Sequence, residues 1–324
     1  MQDAIPYGKY LLLDRVAIGG MAEVWAATLR EGAPGRLVAL KRILPTLAED
    51  REFLTMFLDE ARIVVQLQHP GIVPVLELGR QGETYYMALE YVPGVTLRAL
   101  LDRERAAGRR LPVWLAAHVA WRVCDALDYA HRRRDLGGAP LHVVHRDVSP
   151  ANVLLGFDGG VRVIDFGIAQ AAIRTRREGQ VLRGKFGYMS PELVRGLPVD
   201  RRADVFAVGA VLHEMLTGVK LFTGESELAV LERIRNAEVA PPSATEPGVP
   251  RALDAVVLRA LAREPEARWA WASELRDALV PWLPAGGAGA AARTLAELLA
   301  ERFPGELGAE RRRMEQVRGV VGVG

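Results

Sequence analysis

Near residue 92 the apolar pattern of this chain changes period, and that change restricts the fold more than any other feature. Before it, "YLLLDRVA", "EVWAATLR", "RLVALKRIL", "GIVPVLELG" and "TYYMALEYV" read as strands separated by turn residues. One segment interrupts them: "REFLTMFLDEARIVVQLQ" spaces Phe53, Phe57, Ala61, Val64 and Val65 as one face of a helix. From about Leu97 helices dominate. "LPVWLAAHVAWRVCDALDYAHRR" has proline in its first turn, and "RADVFAVGAVLHEMLTG", "ELAVLERIRNA", "RALDAVVLRALA" and "SELRDALVPWL" follow. A short strand region, "HVVHRD", "NVLLG" and "VRVIDFG", separates the first helix from the rest. The pattern predicts an α+β chain with a small strand-rich lobe over about 7–92 and a larger, mainly helical lobe over about 93–282. Residues 283–292, which hold "PAGGAGAAA", read as a flexible linker, and 293–324 as a charged helical tail.

Half of the 324 residues are apolar, so a sizeable core is expected. The net charge of only +2 argues against broad binding to nucleic acid. The single cysteine, Cys124, excludes an internal disulfide framework and sits in an apolar-periodic stretch, where a buried thiol is expected. "MQDAIPYGKY" lacks the basic start and apolar block of a signal peptide, and no window reaches the roughly 18 apolar residues of a membrane helix. These readings predict a soluble, cytoplasmic protein without membrane insertion. Of 42 basic residues only Lys9, Lys41, Lys185 and Lys220 are lysines. An ammonium and a guanidinium are not interchangeable at a tight site, so each of the four is a candidate for chemistry.

Five signals occur in order. "AIGGMAEV" (Ala17–Val24) lies between two strands, where glycine lets backbone N–H groups approach phosphate oxygens. Against G-x-G-x-x-G it keeps only Gly19, with Gly20 beside it; taken alone, a plain hairpin turn fits better. "VALK" puts Lys41 on the next strand, and a lysine aimed at phosphates needs a carboxylate to hold it. Glu60, inside the following helix, is well placed, with Asp59 as its competitor. "HRDVSPAN" offers Asp147 to take a proton from an attacking hydroxyl and Asn152 to hold a metal ion. "DFG" offers Asp165 as a metal-binding carboxylate, and "YMSPEL" approaches the A-P-E tripeptide.

In this order and spacing the chain resembles a bacterial eukaryotic-like (Hanks-type) serine/threonine protein kinase over roughly residues 7–282; "GGMAEVW" and "HPGIV" are typical of that branch. The resemblance implies a bilobal protein-kinase fold, a small β-rich N-lobe and a helical C-lobe, with ATP in the cleft. It implies Mg²⁺, with Mn²⁺ as the alternative, on Asn152 and Asp165, and protein substrates. Ala17, Ile18, Gly19 and Gly20 would cover the phosphates. Leu89 would be the gatekeeper, Glu90 and Val92 would offer hinge backbone groups to adenine, and Val24, Ala39 and Leu154 would sandwich the ring. Asp204 would tie the catalytic loop, and Arg268 would pair with Glu192.

Two departures from the family pattern are linked. Ser149 stands where the family carries a catalytic-loop lysine, and Lys185 stands where it carries a threonine in the substrate-facing loop. A compensated swap would let Lys185 reach the γ-phosphate and Asp147, while Ser149 supplies the hydroxyl bond; independent drift is the alternative. Arg146 could receive a phosphate from Thr175, in "RTRR". The tail is a helical extension packed on the large lobe or a docking site for a partner. Two other functions compete with an active kinase that also phosphorylates itself: a nucleotide-binding pseudokinase scaffold and a small-molecule phosphotransferase. The "SPE" segment and Arg268 argue against the latter.

Overall fold

The structure, a computed structural model, describes residues 4–19, 22–30, 35–44, 47, 54–55, 57–58, 61, 64–135, 137–166 and 186–321, the last four without their side chains. Glu60, Gly20, Lys185 and Thr175 lie outside the described residues, as do Asp59 and Phe53.

The first lobe is a six-stranded antiparallel sheet in the order β1-β2-β3-β4-β6-β5. Its strands are β1 (Ile5–Tyr7), β2 (Tyr10–Ile18), β3 (Ala22–Leu29), β4 (Leu37–Ile43), β5 (Val75–Gln81) and β6 (Thr84–Glu90). Side chains alternate faces along a strand, so Val38 and Leu40 pack with Tyr7, Tyr10, Trp25 and Tyr86. Ala39, Lys41 and Ile43 take the other face, opposite Leu89 and Met87 across the ladder. That face joins a second apolar cluster with Phe57 and Ala61, both helical and 2% exposed. Val65, expected on the same stripe, is exposed because the helical stretch has ended at Val64.

The second lobe is helical: α1 (Leu97–Ala106), α2 (Val113–His131), α3 (Pro191–Val194), α4 (Arg202–Thr217), α5 (Glu227–Asn236), α6 (Pro242–Thr245), α7 (Arg251–Ala260) and α8 (Ala272–Leu279). The Thr96 hydroxyl caps α1 by accepting from the Ala99 amide at 3.2 Å. Pro112, just before α2, sets its entry without an amide to satisfy. Every residue of α4 from Ala203 to Thr217 is buried, and Gly218 ends the helix at φ 71°, where glycine carries no Cβ penalty. A small sheet pairs β7 (Gly94–Thr96), at the boundary between the lobes in sequence, with β8 (Val153–Gly156), which pairs in turn with β9 (Val161–Val163), both within the larger lobe in sequence.

Two expectations need correction, and two short strands had no sequence signal. "HVVHRD" is not a strand; the amides of His145, Arg146 and Asp147 bond to side chains rather than to a neighbouring strand. β1 and β7, each of three residues, are too short for a periodic signal. The segment read as a flexible linker is helical from Gly287 onwards in α9 (Gly287–Arg302), which α10 (Pro304–Val321) follows. Alanines at 288, 290, 291 and 292 supply helix propensity, and Ala291, Leu295 and Leu299 are fully buried on the larger lobe. Tertiary burial outweighs the glycines.

Candidate active site

The backbone around Asp147 is held from beneath by one buried carboxylate. Asp204, in the first turn of α4, accepts the amides of His145 and Arg146 at 2.8 Å each and bonds the His131 ring at 2.7 Å. Burial alone would raise its carboxyl pKa; the His131 bond and the His145 amide outweigh that and hold it below the usual carboxylate range. This anchorage keeps Arg146 at φ 63°, a left-handed conformation that costs a side-chain-bearing residue energy. His145 also bonds the Ile164 carbonyl at 2.9 Å, and its ring lies 4.5 Å from that of Phe166. The loop and the strand that leads to Asp165 are thereby fixed to each other.

Asn152 ends the loop. Its amide nitrogen donates to the Asp147 carbonyl and to a side-chain oxygen of Asp147, both at 2.8 Å, which fixes the direction of that carboxylate. The Asn152 backbone carbonyl accepts the Ile164 amide at 3.0 Å, next to Asp165. Asp165 itself sits at φ 62° and takes the Lys41 ammonium at 2.5 Å. A cation from β4 and a carboxylate at the end of β9 therefore close the cleft between the lobes.

Above this polar floor Ala39, Leu89, Val92 and Leu154 belong to one apolar cluster, wide enough to engage both lobes. The Glu90 amide is bonded to the Pro74 carbonyl at 3.0 Å. Val24 pairs with Lys41 on one side and Ala17 on the other. In the turn after β2 the Gly19 amide donates to the Ala22 carbonyl at 2.8 Å, so this donor closes the hairpin. Neither Ala17 nor Ala22 has positive φ, so their methyl groups are tolerated where the motif has glycine. Ser149 is buried, and its hydroxyl oxygen has no hydrogen-bond partner among the described residues.

Behind the loop, Arg268 forms a two-pronged bond with Glu192, 2.7 Å in each arm, as expected. A second buried charge escaped sequence reasoning. Glu214 on α4 is bonded by Arg98 at 2.9 and 3.0 Å, by Arg105 at 3.0 Å and by the Tyr188 hydroxyl at 2.5 Å. The available signal was an acid inside the otherwise apolar run "VLHEML", a position where an unpaired charge is prohibitive.

The protein kinase domain family matches residues 10–280 of the chain. Tyrosine-protein kinase MasK of Myxococcus xanthus is 42% identical over 316 residues, 95% of this chain and 48% of that protein. Serine/threonine-protein kinase PknB of Mycobacterium tuberculosis is 38% identical over 279 residues, 84% of this chain and 42% of that protein. The chain thus spans about half the length of the curated relatives it matches. Among solved structures, the PknI kinase domain of Mycobacterium tuberculosis superposes with a TM-score of 0.66 at 28% identity, covering 87% of this chain and 99% of that one. Among the described residues no helix is long and apolar enough to cross a membrane.

Proposed function

This chain belongs to the protein kinase family, and from that premise we propose that it transfers the γ-phosphate of ATP to serine or threonine hydroxyls of proteins, itself included. The observation that carries the proposal is the joint fixation of Asp147, Asn152 and Asp165 against a strand-borne lysine. In this reading Lys41, with Glu60 as its holder, exchanges Asp165 for the α- and β-phosphates. Adenine occupies the slot between Val24, Ala39 and Leu154, with Leu89 behind it and the Glu90 and Val92 backbone at its edge. Asp147 receives the proton of the attacking hydroxyl as its oxygen bonds to the γ-phosphorus and the bond to the ADP oxygen breaks. Asn152 and Asp165 fit a hard divalent cation, Mg²⁺ or Mn²⁺: Asn152 commits its amide nitrogen to Asp147 and keeps its carbonyl oxygen, and Asp165 brings a carboxylate. When bound, that ion neutralises phosphate charge. The reaction draws on ATP, so the domain works in the cytoplasm.

A tyrosine acceptor is the second reading. It rests on the name of the 42%-identical relative and on Ser149, which stands where the serine/threonine branch has lysine. Incubation with Mg²⁺–ATP, followed by intact mass and phosphosite mapping with Asp147→Asn as control, separates these. Phosphoserine or phosphothreonine on wild type alone is the expected result. Phosphotyrosine alone would transfer the assignment to the second reading. Nucleotide binding with no phosphate on the chain or on added protein would leave a scaffold.

A further inference from the structure

The last helix reaches both sides of the cleft. Its base is fixed to the larger lobe. Phe303 is buried under the Arg103 guanidinium, 3.9 Å from its ring, Glu306 takes Arg103 at 2.6 Å, and Arg302 meets Glu104 on α1 at 3.0 Å. About 6 Å further along the axis, four residues beyond Glu306 at 1.5 Å each, the same helix meets the hinge. Tyr91, between the two hinge residues Glu90 and Val92, donates to both carboxylate oxygens of Glu310 at 2.8 Å. Arg313 bonds the same hydroxyl and Glu310, and its Nε donates to Asp14 on β2 at 3.1 Å. Glu310, Arg313 and Val317 are spaced i, i+3 and i+7, so they share one helix face, and Val317 is only 1% exposed.

Asp14 lies four residues before Ile18, on the strand that ends in the turn over the phosphate site. The β2–β3 register shifts on both sides of Asp14 and Arg15, and such irregularities re-aim side chains. One helix thus holds the hinge and the strand leading to the nucleotide cover.

We infer that Glu310 and Arg313 are positioning residues for the nucleotide: they set the spacing of the two lobes by tying Tyr91 and Asp14 to a helix seated on α1. The inference rests on the ATP reading. Preorganised lobes lose less freedom on binding, so the bridge acts on nucleotide affinity and on the KM for ATP more than on kcat.

The test titrates the full chain with a fluorescent ATP analogue and Mg²⁺ and measures KM and kcat on added protein. Arg313→Asp, which sets a second acid against Glu310 and Asp14, should weaken nucleotide binding about fivefold, the lower end of coupling between sites. Asp14→Arg combined with Arg313→Asp restores the opposite-charge contact and should recover most of that loss. Arg312→Asp, the same charge change on the exposed face, should leave binding within about twofold, as for a solvated charge. Tyr91→Phe, a variant that keeps the packing, should shift binding in the same direction by a smaller factor. Equal affinities for wild type and Arg313→Asp would overturn the inference while the ATP reading stands. Equal losses for Arg312→Asp and Arg313→Asp would also overturn it. Wild type that binds no nucleotide would remove both.

Discussion

Arg268 commits all three guanidinium nitrogens: to the buried Glu192 in two arms, and to the carbonyls of Ala262, Arg202 and Arg263 at 2.7, 3.0 and 2.9 Å. Truncation would strand Glu192, which is 5% exposed, away from water. Arg268→Ala is expected to cost about 3–5 kcal/mol, read as a lower urea midpoint at unchanged slope. Arg195→Ala, which removes a loose 3.9 Å contact to the exposed Glu264, should cost less than about 1 kcal/mol. Equal effects would mean that the buried pair contributes no more than a surface one. Ser149 gives the second prediction. Its buried hydroxyl, without a hydrogen-bond partner among the described residues, lies two residues from Asp147, in keeping with a partner supplied during turnover. If lysine and hydroxyl have traded places, Lys185→Ala should lower kcat by about 10²–10³, as for a lost charge-stabilising donor, and Lys220→Ala should lower it little. Similar small effects in both would end the idea of a swap.

At the scale of elements, α9 tests how the tail is attached. Gly159, at φ 79° in the turn between β8 and β9, lies directly beneath it: a Cβ there would stand 1.9 Å from the Ala292 carbonyl oxygen. Gly159→Ala is therefore expected to cost about 2–4 kcal/mol, strain and steric conflict together, and to speed amide exchange in α9. Gly108→Ala meets open space at φ 65° and should cost only about 1 kcal/mol, with α9 exchange unchanged. Protection of α9 that survives Gly159→Ala would show that the tail does not depend on this contact. Elements with a long apolar period, such as α2 and α4, were legible in the sequence within a few residues, since burial and local propensity agree there. The helical start of α9 was not. "PAGGAGAAA" has linker composition, and its alanines form a helix where Ala291, Leu295 and Leu299 are buried. The segment "HVVHRD" misled in the opposite sense, because its β-branched residues lead into a loop whose His145 and Arg146 amides are taken by Asp204.

At the scale of the molecule, the two-lobed plan was readable because the change of period near residue 92 is a property of the whole chain. The ion pairs that join distant parts were not. Tyr91 and Glu310 are 219 residues apart, and neither position has a local signature of the other. The same long-range packing governs the response to acid. Burial, with Arg122 one turn on, pushes the His118 imidazole on α2 down to about 4, and burial lowers His213 on α4 as well. A histidine whose folded pKa is depressed stays neutral in the native state while the unfolded chain takes up a proton below about 6.5. Its stabilising effect is therefore intact above that value and is lost as pH falls towards 4. Asp204 and Glu214, both also depressed, continue the loss below about pH 4, because their native carboxylates must be protonated. The unfolding free energy is thus expected to decline in two stages, with His118 contributing on the order of 2–3 kcal/mol to the first. His118→Leu should flatten the curve between pH 6.5 and 4 and leave the lower stage in place, as measured by urea unfolding across that range. A variant that declines as steeply as wild type in the upper stage would assign the acid sensitivity to other groups.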